Sequence, residues 1–312
     1  MSIKIILRQK KSSDNDAVAA LIHDSLNAWY KKNRGFDRVV PSVAAAGVYS
    51  RVYDELDPGC CVVAEDAETG RLAGSCFYHP RPTHVSLGIM TVAPEYFGTK
   101  TSTKLLAYIV DVAKGREQPL RLTSSAMNLD SFSLYNRAGF VPVAMCQDMQ
   151  VNVPADGFAE EIPAGYIARD ARADDVKELA ALERELQGID RVKDFAYFIE
   201  NRDGIWGSSV LINESTGAIE GGMFSVNDPG CAMVGPGFAR TESQAFALVK
   251  RELNRYRGSW SPIVLVPTSC VSLRFGLYAL GARNTETHVV QVLGESFPRA
   301  GVSIPTFMPE TS

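Results

Sequence analysis

Long apolar runs are missing from this chain. None approaches the roughly 18 residues that a membrane-crossing helix needs, so no membrane partner is expected. A surplus of charge of one sign is missing too. Thirty-two Lys and Arg stand against 36 Asp and Glu, a formal net charge of -4, which gives no electrostatic reason to expect nucleic acid. Cysteine is sparse and unpatterned. Cys60, Cys61, Cys76, Cys146, Cys231 and Cys270 form no C-x-x-C pair and lie in or beside apolar runs, which reads as buried free thiols rather than disulfides. Histidine is scarcer still, and the four present are too scattered for a ligand cluster, so no metal is expected. The start, "MSIKIILRQKK", puts its basic residues after a short apolar stretch, the order of a strand and not of a signal peptide. These absences leave a cytoplasmic, metal-free protein as the expectation. Its 312 residues, 46% of them hydrophobic, suffice for one large or two ordinary cores.

What is present is a repeat. Thr69 to Phe77 reads "TGRLAGSCF" and Thr216 to Phe224 reads "TGAIEGGMF". Each is a Thr-Gly turn followed by a strand, the pattern of a hairpin. "DNDAVAALIHDSL" is answered by "ADDVKELAALEREL", "LLAYIVDVAKG" by "AFALVKRELNRY", and "SLYNRAGF" by "FGLYALGA", in the same order. In the first of these, Val18, Leu21, Ile22, Leu26 and Trp29 form one helical stripe. The stretch "PADGFAEEIPAGY" between the copies has no periodicity and reads as a linker, which predicts units at 1–156 and 157–312. Each unit reads strand, two helices, three strands, helix, strand, helix, strand. In the first, strands are predicted near 3–8, 60–66, 71–78, 84–93, 119–125 and 140–152, and helices near 14–30, 41–56, 100–115 and 128–138. The predicted fold class is α/β of the α+β type: a mixed, mostly antiparallel sheet in each unit, with helices on both faces.

The segment "VAPEYFGTKTSTKLL", from Val92 to Leu106, runs from a strand through a proline and a glycine into a helix. A helix start of this kind presents backbone N–H groups and a positive dipole end to an anion. Downstream, Asn128, Ser131 and Tyr135 lie in "NLDSFSLYNRAGF". Asn128 and Tyr135 are seven apart, two turns of one helix, and so share a face.

Strand, V-x-P-E-Y, glycine turn, helix, strand and N-x-x-S-x-x-L-Y-x-x-x-G-F together resemble the GNAT acyltransferase superfamily, in a tandem form. The resemblance covers the whole first unit and is most specific from Met90 to Phe140. It implies transfer of an acetyl group from acetyl-CoA to the amine of a small molecule or peptide. The family's turn reads [Q/R]-x-x-G-x-[G/A]; here the six positions are Phe97, Gly98, Thr99, Lys100, Thr101 and Ser102. Phe97 stands for the usual Gln or Arg, Lys100 for the first glycine and the small Ser102 for the second. If Lys100 takes positive φ it carries some strain; it also adds a positive charge. The resemblance further implies that Met90, Thr91 and Val92 on a splayed fourth strand meet the thioester, that Asn128 and Ser131 line the pantetheine arm, and that Tyr135 protonates the departing thiolate. Alternatives stay open: a helix cap for Asn128, a core aromatic for Tyr135, and a CoA-binding sensor or scaffold without catalysis for the whole protein.

No carboxylate stands out as general base. Alternation along "HVSLGIMTV" puts Val85, Leu87 and Ile89 on one face and His84, Ser86, Gly88 and Met90 on the other. His84, with an intrinsic pKa in the right range, is the candidate base; Glu65, acting through water, is the other. The connection from Trp29 to Ser42 carries Lys31, Lys32, Arg34 and Arg38 among aromatics, as a solvated or a specificity loop. In the second unit, "VGPGFARTESQAF" departs from the cradle pattern, with early Gly235 and Gly237 and with Glu242 at the helix start. It reads as a degenerate copy with a structural role. The tail from Ala300 to Ser312 is either free or inserted into a cleft.

Overall fold

The structure, a computed structural model, describes residues 3–297 and 299–311. The first half consists of β1 (Ile5–Gln9), α1 (Asn15–Arg34), α2 (Val43–Leu56), β2 (Cys61–Asp66), β3 (Leu72–Pro80), β4 (Val85–Val92), α3 (Thr101–Gly115), β5 (Leu120–Ser125), α4 (Leu129–Arg137) and β6 (Val141–Gln150). The second half repeats the order: β7 (Tyr166–Asp170), α5 (Val176–Gln187), α6 (Val192–Glu200), β8 (Trp206–Asn213), β9 (Ile219–Asp228), β10 (Cys231–Ala239), α7 (Glu242–Leu253), β11 (Ile263–Pro267), α8 (Val271–Ala279) and β12 (Arg283–Leu293). The tail adds β13 (Val302–Ile304), β14 (Thr306–Phe307) and β15 (Glu310–Thr311).

Local signals account for most boundaries. The Ser42 hydroxyl accepts from the Ala45 amide and starts α2, and the Asn128 side chain accepts from the Ser131 amide and starts α4, each satisfying an orphan donor of a first turn. Helix α1 is longer than its apolar stripe predicts, running to the left-handed stop at Gly35. Trp29 to Arg34 therefore belong to the helix, and only residues 35–42 form the connection.

The strands join in one 13-stranded sheet of order β1-β2-β3-β4-β5-β12-β6-β11-β10-β9-β8-β7, with β13 on β10. Its centre is an exchange. β5 pairs antiparallel with β12 of the second half, and β11 pairs with β6 of the first. The two exchanged strands pair with each other from Val141↔Val292 to Gln150↔Arg283. Each half thus completes the other's sheet, where the sequence repeat alone suggested two sheets merely packed together. Helices cover both faces: α1 and α2 pack over one core with Phe77 and Val63, α3 over another with Leu87 and Cys76. The halves are also tied by a buried ion pair, Arg81 to Asp194, at 2.5 Å. All six cysteines are free.

Candidate active site

Only Val85↔Leu120 and Ser86↔Arg121 pair β4 with β5; beyond Ser86 the two parallel strands part. On its other edge β4 stays paired with β3 as far as Gly74↔Val92, and the Ala93 amide donates to Ala73 O at 2.9 Å. Antiparallel ladders alternate inward and outward amides. Those of Met90 and Val92 therefore turn toward β5, into the notch it has left. Thr91 faces β3 instead, and its hydroxyl lies 3.1 Å from that of Ser75.

The register between Cys76↔Met90 and Tyr78↔Leu87 holds a bulge in which β4 carries one extra residue. The bulge breaks the predicted alternation. Met90 packs with Leu87 in the core under α3, while Ile89 joins the core under α2.

The turn entering α3 lies beside the notch. Gly98 has φ 79° and Lys100 φ 63°, so Lys100 holds the left-handed conformation that a glycine would take without strain, at a cost of about 1 kcal/mol. Lys100 is the N-cap of α3, and no side chain caps that helix. Among the described residues, the amides of Gly98, Lys100, Thr101 and Ser102 make no hydrogen bond. The Thr99 hydroxyl bonds Tyr96 O at 2.6 Å and lies 2.8 Å from that of Thr101. Phe97 is 52% exposed and points out of the core. A diphosphate fits this turn: open amides at a positive helix end, a Lys beside them and no carboxylate facing in. Among the described residues no group of three or more His, Cys, Asp or Glu could hold a metal.

Tyr135, on α4, is buried among Cys76, Leu105, Phe140 and their neighbours. Burial pushes its phenol well above the ordinary tyrosine range, with the charge of Glu310 adding to the effect. It therefore keeps its proton throughout the neutral range. Asn128 is an N-cap, its Oδ1 taken by the Ser131 amide at 3.1 Å. Ser131 is partly exposed in the first turn of α4. His84 is fully buried, with Nδ1 3.0 Å from the Thr83 hydroxyl and Nε2 3.1 Å from that of Ser86. Burial, then the charges of Arg121, Arg191 and Arg81, hold its pKa well below the usual histidine value. The ring is neutral and has no free nitrogen for a substrate proton. Glu65 is bound to Arg8 at 2.6 Å at the far edge of the sheet.

Several groups around the notch were not singled out by motif. His79 at the end of β3 is fully buried, its Nδ1 2.8 Å from Asp57. Glu310 in the tail lies beneath α2, and β15 rests against both β4 and β5. On the exchanged strand β12, Glu286 accepts from the Tyr30 hydroxyl of α1 at 2.7 Å, and from Ser125 of β5. The tail's apolar content in "SIPTFMPE" was the one local sign that it is buried; nothing local marks its destination.

The second half has the same plan in a closed form. β10 and β11 pair only at Met233↔Ile263 and Val234↔Val264 before they part. Here β13 fills the gap, pairing with β10 from Gly237↔Ile304 to Ala239↔Val302. At the start of α7, Thr241 and Gln244 form a reciprocal capping box, and Glu242 accepts from the Leu273 amide at 2.8 Å. Edge amides and helix start are both occupied by the chain itself.

A sheet parted between two parallel strands, beside a helix start that no side chain caps, is a recognisable plan of α/β fold. Residues 24–140 match the family model of the acetyltransferase (GNAT) family. The whole chain has the fold of GNAT proteins, a tandem one among them. It superposes on a candidate acetyltransferase from Pyrococcus horikoshii (TM-score 0.71, 13% identity, 95% of this chain and 92% of that one). A GCN5-related N-acetyltransferase from Sphaerobacter thermophilus gives TM-score 0.66 at 18% identity, over 95% and 98% of the two chains. A tandem GNAT protein from the clavulanic acid biosynthesis pathway gives 0.63 at 14%, over 94% and 100%. No curated protein matches by sequence.

Proposed function

We propose that the protein is an N-acyltransferase that moves an acetyl group from acetyl-CoA to a primary amine of a small molecule or peptide, with a single working site in the first half. The observation that carries this reading is the contrast in the notches: the amides of Met90 and Val92 and the start of α3 are open, while their counterparts on β10 and α7 are occupied. The donor's diphosphate would lie on the turn from Phe97 to Ser102, its pantetheine arm along β4 and beside Asn128 and Ser131. Bound there, it supplies an activated thioester. The protein's part is to hold that thioester and the amine together, which alone removes much of the barrier. Tyr135, kept protonated by its buried setting, gives its proton to the departing sulfur, the role of a general acid. The predicted units, 1–156 and 157–312, are proposed as repeats of sequence and ancestry, although the sheet exchanges a strand between them.

Calorimetric titration with acetyl-CoA, followed by thiol release in the presence of an amine panel, tests the reading. Binding with amine-dependent thiol release is expected. Binding without release would make the protein a CoA-binding sensor or scaffold, and absence of binding at millimolar ligand would remove both readings.

A further inference from the structure

The tail that closes the second notch continues into the first. After β13, the chain turns through β14 and β15, and the side chain of Glu310 comes to rest under α2. Glu310 is 8% exposed. β15 lies against both strands of the open notch, yet pairs only with β14. β4 therefore keeps its free edge, and a carboxylate stands close by.

We propose that Glu310 is the base that takes the proton from the acceptor amine, a role that rests on the acyltransferase reading above. In the balanced step, the ammonium gives its proton to the Glu310 carboxylate. The freed nitrogen forms a C–N bond to the thioester carbon, the C–S bond breaks, and the thiolate takes the Tyr135 proton. Solvent then reprotonates Tyr135 and receives the proton from Glu310.

Three features of the pocket suit that task. First, it accommodates Glu310 with or without a proton. The Tyr53 hydroxyl lies 2.8 Å from Glu310 Oε2 and 2.6 Å from the Phe307 carbonyl. Its one hydrogen serves one acceptor at a time. When Glu310 is ionised, Tyr53 donates to it. When Glu310 is protonated, it donates to Tyr53 Oη, which turns its own hydrogen to Phe307. In both states Glu310 and Tyr53 stay hydrogen-bonded to each other, which lowers the cost that normally opposes proton transfer in a buried site.

Second, His79 Nε2 is buried without a hydrogen-bond partner among the described residues and lies 3.8 Å from Glu310 Oε2. Gly88 makes room for it, since a Cβ there would come 2.7 Å from that nitrogen. Burial opposes a charge on His79, but its bond to Asp57 and the nearby Glu310 outweigh it and raise its pKa.

Third, the line of groups leads out. Asp57 accepts from His79, Arg81 and Lys193, and the Lys193 side chain is 46% exposed. The remaining titratable groups that face Glu310 are Tyr49 on α2, Cys76 on β3, Tyr135 on α4 and Cys231 on β10. All four are neutral near pH 7, because burial raises each of them. The charges nearest Glu310 therefore belong to the line of His79 and Asp57, with Arg81 and Lys193 paired to Asp57.

The experiment uses the full chain. Wild type, Glu310→Gln, Glu310→Asp and Tyr53→Phe are compared in kcat and KM for a productive amine across pH, with acetyl-CoA affinity and thermal unfolding measured alongside. Glu310→Gln should lose about a hundredfold or more in kcat, bind acetyl-CoA as wild type does, and lose the acid limb of kcat/KM. Glu310→Asp should retain that limb at an intermediate rate, which keeps the test open if the Gln variant folds poorly. Tyr53→Phe should shift the limb without abolishing turnover. Wild-type kcat and an unchanged pH profile in Glu310→Gln would overturn the role of Glu310 and leave the acyltransferase reading standing. A wild type that binds acetyl-CoA but transfers to no amine would remove both.

Discussion

The two halves of this chain follow one plan and differ in what fills it. In each, two parallel strands hold together for two residue pairs and then part. In the second half the gap is taken by β13, the helix start by a capping box, and the space ahead of it by the Glu242 contact to α8. In the first half the same positions are open, and the α3 turn keeps a left-handed residue although that residue is Lys100. A non-glycine residue held at positive φ costs free energy. Its retention at the start of α3, which no side chain caps, points to a demand on backbone shape that the matching start of α7, closed by a capping box, does not share. The tail that closes one notch also brings Glu310 to the other, so under the proposed function the second half equips the first.

The largest expected effect tests whether the halves are one body. Arg81 and Asp194 are fully buried and joined across them, and removing one partner of such a pair strands the other charge, at about 3–5 kcal/mol. Asp194→Ala should lower unfolding stability by that amount in a single cooperative transition. Two separate transitions, or a loss below 1 kcal/mol, would show that the halves behave independently.

Next comes the chemistry. Tyr135→Phe should reduce kcat by about a hundredfold with little change in KM for acetyl-CoA; undiminished turnover would take Tyr135 out of the reaction. At the turn, Lys100→Glu should weaken acetyl-CoA binding about tenfold through charge reversal near phosphate. Lys100→Gly should keep binding and gain up to about 1 kcal/mol of stability by relieving the left-handed strain. A loss of stability in the glycine variant would argue against the positive φ.

A pH effect separates His84 from catalysis. Its folded pKa is held below the unfolded value, so its contribution to stability is present above about pH 6.5. It is lost as pH falls below that value. His84→Gln should flatten the acid side of the stability profile and leave the pH dependence of turnover unchanged. The smallest effect belongs to the closed half. Glu242→Gln should cost about 1 kcal/mol or less and leave acetyl-CoA binding as it was.

Much of this was legible in the sequence, for physical reasons that can be named. Helices and strands were readable because their apolar periods are local: the stripe of Val18, Leu21 and Ile22 is buried as its spacing requires. The cap alternative for Asn128 was legible because capping is decided within three residues. What escaped depends on distant pairing. β6 and β12 have the same strand pattern whichever partner they meet, so the exchange leaves no local mark. The bulge that turns Met90 away from its predicted face is a property of two strands together. His79, Asp57 and Glu310 are 253 residues apart at the extreme (310 − 57) and meet only through the tail's path.

The most direct measurement is the stoichiometry and residue dependence of acetyl-CoA binding by calorimetry. One site per chain is expected, weakened about tenfold by Lys100→Glu and unaffected by Glu242→Gln. Two sites per chain, or a single site that responds to Glu242→Gln and not to Lys100→Glu, would contradict the assignment of the open notch to the first half.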